Sequence, residues 1–322
     1  MTTETLLELI DLHPRVADLK ADCLSGLRST PKTLPSMFLY DKKGSELFDT
    51  ITTLPEYYPT RTEMSILQEQ SDSIAESVGS GALVIEIGSG SSTKTETLLS
   101  ALDEPAGYIP VDISKQHLLE AAQRISDDYP DLPVQPVCAD YMTKWELPEW
   151  DREVRQRVAF FPGSTIGNMY PHEAQALLNN IARLLGPGGQ LLIGIDLRKD
   201  PAIIVPAYDD AQGVTKAFTL NLLERLNKEA HANFDPDAFD FTVLWNDEES
   251  RIEIGVTSRH DQTLTFAGEL ITLAKGEMIR TECSYKYTPQ HFARIASSWQ
   301  PKAAWSDPHS LYSFQDLEVS PT

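Results

Sequence analysis

Positive charge is scarce in this sequence: 27 lysines and arginines stand against 48 aspartates and glutamates in 322 residues, a formal net charge of −21. Such a surface repels phosphate backbones and anionic headgroups, so nucleic acid and membranes are not expected as partners. Cysteine is scarcer still. Cys23, Cys138 and Cys283 lie far apart and in no CxxC pair, which argues against a disulfide framework and a thiolate zinc site. The seven histidines form no HExxH and no close ligand spacing, so no metal is expected. No apolar run approaches the roughly 18 residues of a membrane span. Met1 to Lys20 lacks the basic start and apolar centre of a secretory signal, which makes the cytoplasm the expected location. Ser164 sits in GSTIG rather than GxSxG, so a hydrolase nucleophile elbow is also missing.

What is present reads as globular, with 41% hydrophobic residues and glycine and proline dispersed along the chain. The length suits two units. Between Glu4 and Leu27, residues Leu6, Leu7, Ile10, Leu12, Val16, Leu19, Cys23 and Leu24 recur at roughly helical spacing and predict an amphipathic helix. An aromatic-rich stretch, Tyr40 to Tyr58, leads to Pro59-Thr60, which opens a helix through Thr62, Glu63, Ile66 and Leu67. From Ala82 the pattern becomes five strand-length apolar runs: Ala82 to Gly88, Gly107 to Ile113, Pro133 to Asp140, Arg157 to Gly163 and Gly189 to Leu197. Helical stretches separate them at Lys94 to Leu102, Ser114 to Asp127 and Pro171 to Leu185, the pattern of a parallel α/β sheet.

After Asp200 the alternation stops. Ala207 to Glu229 reads as one long helix, and Thr242 to Val256 as a hairpin turning at Asn246 to Ser250, with Thr263 to Leu273 as further antiparallel strand. A helix over Thr288 to Trp299 and a last hairpin around Asp307 to Ser310 close the chain. A parallel sheet that finishes in an antiparallel hairpin is how methyltransferase folds end.

The strongest local signal is Glu86-Ile87-Gly88-Ser89-Gly90-Ser91-Ser92, between a buried strand and the helix at Lys94. Glycines there let a ligand approach backbone N–H groups at a helix start. A dinucleotide fingerprint would place a third glycine at position 93, which is Thr93, so NAD is disfavoured. Asp112 ends the second strand, where an acid takes ribose hydroxyls, and Asp140 ends the third beside Tyr141, where an acid accepts from an adenine amine and a ring packs on the base. S-adenosylmethionine fits this set, because its sulfonium also tolerates acidic surroundings.

Tyr40, LPEYYPTRTE (54–63), EIGSGSSTKT (86–95), GSTIGN (163–168), AYDDAQGVTKAF (207–218), WNDEESRIE (245–253) and TECSYKY (281–287) together resemble the ergothioneine-pathway histidine methyltransferases, and the likeness covers nearly the whole chain. The resemblance implies a Rossmann-like α/β class I methyltransferase core, with a mostly parallel seven-stranded sheet and a terminal antiparallel hairpin, plus a second substrate-binding domain. Residues 61–198 and 286–322 would form the core, and 1–60 and 199–285 the substrate domain. The implied activity is transfer of three methyl groups from S-adenosylmethionine to the α-amine of L-histidine, giving hercynine and S-adenosylhomocysteine, by a monomer.

Carried over residue by residue, the resemblance puts Gly88, Gly90 and Lys94 at the methionine end of the cofactor, Asp112 at the ribose, and Asp140 with Tyr141 at the adenine. It gives the substrate's carboxylate and amine to Tyr57, Asn168 and Tyr208. Tyr40 and Gly163 would line the space around the reacting nitrogen, with Asn168 as the third group there. Glu282 and Ser284 would bond the imidazole, with Thr215 nearby. One departure is Ile254, where a relative carries methionine; the similar bulk implies an adjusted ring pocket, not a lost one. Chemically, Glu282 and Ser284 at i and i+2 of a strand match the two nitrogens of an imidazole. No basic residue stands out as a general base, so orientation is expected to supply much of the rate. Two other readings stand beside this one: a methyltransferase of the same fold for another amino acid such as tryptophan, and a non-catalytic cofactor-binding module.

Overall fold

The structure, a computed structural model, describes residues 7–15, 17–89 and 93–321. Its centre is a sheet whose strands run in the spatial order Ile10–Asp11, Val137–Cys138, Gly107–Asp112, Ala82–Ile87, Gln156–Phe161, Gln190–Asp196, Tyr312–Val319 and Trp299–Ser306. The first six are parallel, and Tyr312–Val319 runs antiparallel to Gln190–Asp196 and to Trp299–Ser306. Seven of these strands give the class I methyltransferase order that the alternation and the final hairpin predict. The eighth, Ile10–Asp11, comes from the N-terminal segment.

That strand corrects the helix expected over Glu4 to Leu27: among the described residues only Leu19–Arg28 is helical. Pro14 cannot donate within a helix, and Asp18 caps the helix that does form by accepting from the amides of Lys20 and Ala21. Ile10 instead pairs with Val137 and Asp11 with Cys138. Leu6 and Val16, counted toward the expected helix, lie outside the described residues. The run from Pro133 to Asp140 is regular strand only at Val137–Cys138, because Pro133 and Pro136 bring no N–H to a ladder.

Both sheet faces are covered. Ile85, Ile109, Phe161 and Leu191 pack against the helix Pro171–Leu185 on one side. Val84, Tyr108, Phe160 and Phe314 pack against the helices Tyr58–Glu69, Ser71–Val78 and Thr93–Ala101 on the other.

The remainder forms a separate sheet in the order Lys32–Thr33, Met278–Tyr285, Arg251–Ser258 and Phe239–Asn246, with a small hairpin of Gln262–Phe266 and Glu269–Leu273. These elements share a core with the helices Leu19–Arg28, Lys42–Thr52 and Val214–Ala230. The long helix expected over Ala207 to Glu229 is two helices, Pro201–Tyr208 and Val214–Ala230. The break has a local cause: Asp210 accepts from the amides of Val214 and Thr215 at 2.9 and 2.8 Å and starts a new helix there. The break places Tyr208 at the end of one helix and Thr215 at the start of the next.

Candidate active site

Three parallel strands end side by side at the residues expected to bind the cofactor. Ile87 pairs with Val111 and Asp112 with Cys138, so Gly88, Asp112 and Asp140 follow one another along the carboxyl edge of the sheet. The amides of Gly88 and Ser89 both donate to the Val111 carbonyl, at 2.9 and 3.0 Å, which closes the turn. The Tyr141 ring comes within 3.6 Å of where a side chain on Gly88 would begin. Burial raises the Asp112 carboxyl, against the opposing Ser114 amide, and pushes the Tyr141 hydroxyl up to about 12. Asp140 receives the Met142 amide at 2.9 Å. Gly90 lies outside the described residues.

This edge can hold a nucleoside with a polar tail. Neither Asp112 nor Asp140 is in an ion pair among the described residues, and the Ser89 hydroxyl is buried with no hydrogen-bond partner. S-adenosylmethionine fits such groups: hydroxyls for Asp112, an exocyclic amine for Asp140, and a ring for Tyr141.

Lys94 leads from this edge toward the reacting centre. Its ammonium pairs with Glu63 and lies 3.5 Å from where a Gly163 side chain would begin. Glu63 is fully buried and accepts from the Gly163 amide at 2.8 and 2.9 Å and from the Tyr312 hydroxyl at 2.8 Å. One carboxylate thereby fixes the cofactor-side lysine, the loop at Gly163 and the final strand. Gly163 has φ +84°, a conformation that a side chain would strain. At Gly194 even a methyl group would collide with Glu63, since its carbon would stand 2.1 Å from Oε1.

The residues expected to bind the substrate arrive from five segments. Tyr40 follows the turn Ser36–Leu39, Tyr57 precedes the helix Tyr58–Glu69, and Asn168 ends the turn Thr165–Asn168. Tyr208 and Thr215 flank the helix break, and Glu282 and Ser284 share one face of the strand Met278–Tyr285. Their proximity is measurable. The Tyr57 and Tyr208 rings are 6.0 Å apart and nearly perpendicular, Tyr208 Oη lies 3.1 Å from Ser284 Oγ, and Gly167, next to Asn168, lies beside Ser284. Tyr40 packs edge-on against Phe48 and Phe218 at 5.4 and 5.3 Å. Tyr40 is 37% exposed yet ringed by protein: burial, then the charge of Glu282, then Tyr57 and Tyr208, raise its hydroxyl well above the usual range.

Burial pushes the Glu282 carboxyl up to about 7, with Lys286 opposing. It makes no hydrogen bond among the described residues, and Ile254 stands directly across the ladder from it. A half-buried carboxylate without a protein partner calls for a ligand that donates. Thr215 Oγ1 is likewise buried without a partner.

Sequence reasoning missed the layer beneath. Lys286 is completely buried, donating to Tyr208 Oη at 2.6 Å, Ser284 Oγ at 2.7 Å and Asp196 Oδ2 at 2.7 Å. Asp196 also receives Lys199 and, at 2.9 Å, the Tyr58 hydroxyl. Burial alone would raise the Asp196 carboxyl, but Lys286 and Lys199 outweigh it and hold it low; burial brings Lys199 down to about 8. The available signal was charge on faces that periodicity marks as buried: Glu63 with Thr62, Ile66 and Leu67 on one helix, and Lys286 two residues beyond Ser284.

A methyltransferase sheet with a glycine turn and then acids at successive strand ends, opening on a cleft of tyrosines and a glutamate without a hydrogen-bond partner among the described residues, defines an S-adenosylmethionine-dependent small-molecule methyltransferase. The chain belongs to the family described as histidine-specific, S-adenosylmethionine-dependent methyltransferases, which matches residues 19–319. It is 41% identical over 298 residues to the histidine N-alpha-methyltransferase of Mycolicibacterium smegmatis, covering 90% of this chain and 91% of that one. It is 31% identical over 309 residues to ergothioneine biosynthesis protein 1 of Neurospora crassa, spanning 90% of this chain and 34% of that protein. A 4-dimethylallyltryptophan N-methyltransferase of Trichophyton verrucosum is 29% identical over 317 residues, covering 92% of each chain.

Proposed function

We propose that this protein transfers three methyl groups in succession from S-adenosylmethionine to the α-amino nitrogen of L-histidine, forming hercynine in ergothioneine biosynthesis. The observation that carries the substrate is the Glu282 carboxylate, without a hydrogen-bond partner among the described residues and on the same strand face as the Ser284 hydroxyl. An imidazole supplies what that pair lacks, whereas an indole offers a single N–H.

S-adenosylmethionine supplies an electrophilic methyl on a sulfonium. The protein's part is to hold a neutral amine in line with it, so that the N–C bond forms as the C–S bond breaks. Tyr57, Asn168 and Tyr208 hold the amino-acid end, and Gly163, having no side chain, leaves room for a nitrogen that gains bulk at each transfer. The first two transfers each leave a proton on nitrogen that departs to solvent, while the third starts from a tertiary amine and leaves none. Tyr40, Tyr57 and Tyr208 are all raised well above the usual tyrosine range, chiefly by burial. None of them is therefore a tyrosinate base near neutral pH, and no side-chain base is required. The Tyr40 ring, held edge-on by Phe48 and Phe218, suits the quaternary ammonium of the product.

This reading divides the chain into a core of 61–198 and 286–322 and a substrate domain of 1–60 and 199–285, working as a cytoplasmic monomer without metal. The test is a calorimetric titration of L-histidine and of L-tryptophan, with and without S-adenosylhomocysteine, followed by mass analysis of the product. Selective histidine binding and a gain of three methyl groups are expected. Equal or absent binding of the two amino acids defeats the reading.

A further inference from the structure

A completely buried lysine with all three of its protons committed is an uncommon device. A buried ion pair is weak as a source of stability, because desolvation offsets most of the Coulomb attraction. Lys286 and Asp196 nevertheless lie directly under two hydroxyls of the substrate cleft. Donor counting then constrains those hydroxyls. Lys286 takes one lone pair on Tyr208 Oη and one on Ser284 Oγ, and the two oxygens, 3.1 Å apart, share a further hydrogen bond. One of the two hydroxyl protons therefore serves the internal bond, and the other O–H faces the cleft, together with a single lone pair.

The ammonium decides which form of a ring is welcome there. A cationic ring on Ser284 would face a fixed like charge just behind that oxygen, which disfavours it. We propose that Lys286, held by Asp196, is a specificity-determining positioning residue that turns the Ser284 hydroxyl outward as a donor, so that the cleft takes a neutral five-membered ring with one N–H for Glu282 and one unprotonated nitrogen for Ser284. In that arrangement Tyr208 donates to Ser284, and its remaining lone pair faces the amino end of the substrate. Lys286 also keeps Glu282 an acceptor, since its charge opposes the rise that burial imposes on that carboxyl. The titratable groups around Glu282 are Cys283 beside it, Lys286 just past the end of its strand, and Tyr40, Tyr57 and Tyr208 from the elements packed against it, and among these Lys286 is the one basic group.

The inference rests on the histidine reading and is tested separately from it. The measurement is the ratio of kcat/KM for L-histidine to that for the better of the two pyrrolylalanines, which keep one ring N–H and lack the second nitrogen. Lys286→Met removes the cation at similar length and leaves Asp196 paired with Lys199, and the double variant Lys286→Met/Asp196→Asn removes both charges of the Lys286–Asp196 pair. S-adenosylhomocysteine affinity, measured alongside, is expected to stay within about twofold of the parent, since neither group touches the cofactor edge. The ratio is expected to fall about tenfold or more in either variant, the size of a lost charge-assisted hydrogen bond. Equal losses toward both substrates, leaving the ratio unchanged, would mean that Lys286 is merely structural and overturn the inference. A parent protein that fails to prefer histidine would instead defeat the proposed function.

Discussion

The two ends of the cleft are built on different principles. At the cofactor edge, Gly88, Asp112 and Asp140 each follow a strand of one sheet, and backbone amides from Ser114 and Met142 hold the two carboxylates. At the substrate end, side chains from five separated segments meet, and what holds them is other side chains: Lys286 on Tyr208 and Ser284, Asp196 on Lys286, Phe48 and Phe218 on Tyr40. A backbone-held carboxylate keeps its position when a neighbouring side chain is altered, whereas a side-chain-held group can be retuned from below. The contrast agrees with a family that shares one cofactor while its relatives bear the names of histidine and tryptophan-type methyltransferases.

Three substitutions probe this contrast. The largest effect is expected from Asp112→Ala, which removes the expected ribose acceptor together with the bond it accepts from the Ser114 amide: S-adenosylhomocysteine affinity falls by about 100-fold, the loss of two charge-assisted hydrogen bonds. Histidine affinity in the absence of cofactor should be nearly unchanged, and a parallel fall would show that the two ends are not separate. Next comes Glu63→Gln, at the one group that joins them. It should lower kcat by about tenfold to a hundredfold with smaller changes in both KM values, since it disturbs the alignment of Lys94 and Gly163 rather than either ligand alone. An effect confined to the KM for S-adenosylmethionine would place Glu63 at the cofactor end only.

The smallest is Glu282→Gln, expected to raise the KM for histidine about tenfold near pH 8. Its pH dependence follows from the carboxyl raised to about 7: above that pH the parent site offers an anion, and below it a neutral acid. The parent's advantage over the variant is therefore full above about pH 7 and shrinks as pH falls through it. A parent-to-variant ratio of kcat/KM that stays constant from pH 6 to 8.5 would deny the carboxylate that role.

The same contrast explains what could be read from the chain alone. The parallel strands were legible because buried strands make unbroken apolar runs, as in Leu83, Val84 and Ile85, and because Gly88 and Asp112 punctuate their ends. The N-terminal helix was misread because Ile10 and Leu12 fit helical spacing by coincidence, while Pro14 and the cap at Asp18 carried the better signal. The helix break at Asp209 to Gly213 hid inside a continuous apolar period for the same reason, with Asp210 as the overlooked cap. In the site, residues that face a ligand stood out as polar groups in characteristic stretches. Glu63, Asp196 and Lys286 did not, since the contacts of Glu63 with Lys94 and Gly163 and of Asp196 with Lys286 span 31, 100 and 90 residues and are made only by the fold.

The two-residue strand Ile10–Asp11 carries a consequence outside catalysis. Without it, Val137–Cys138 would be the outermost parallel strand, with open N–H and C=O groups able to recruit another chain. At the opposite margin, Trp299–Ser306 is guarded differently, by exposed Pro301 and Lys302 and a shift of register between Pro301 and Ala303. The N-terminal segment thus acts as an edge guard, and trimming it back to Leu12 is expected to change colloidal behaviour before it changes chemistry.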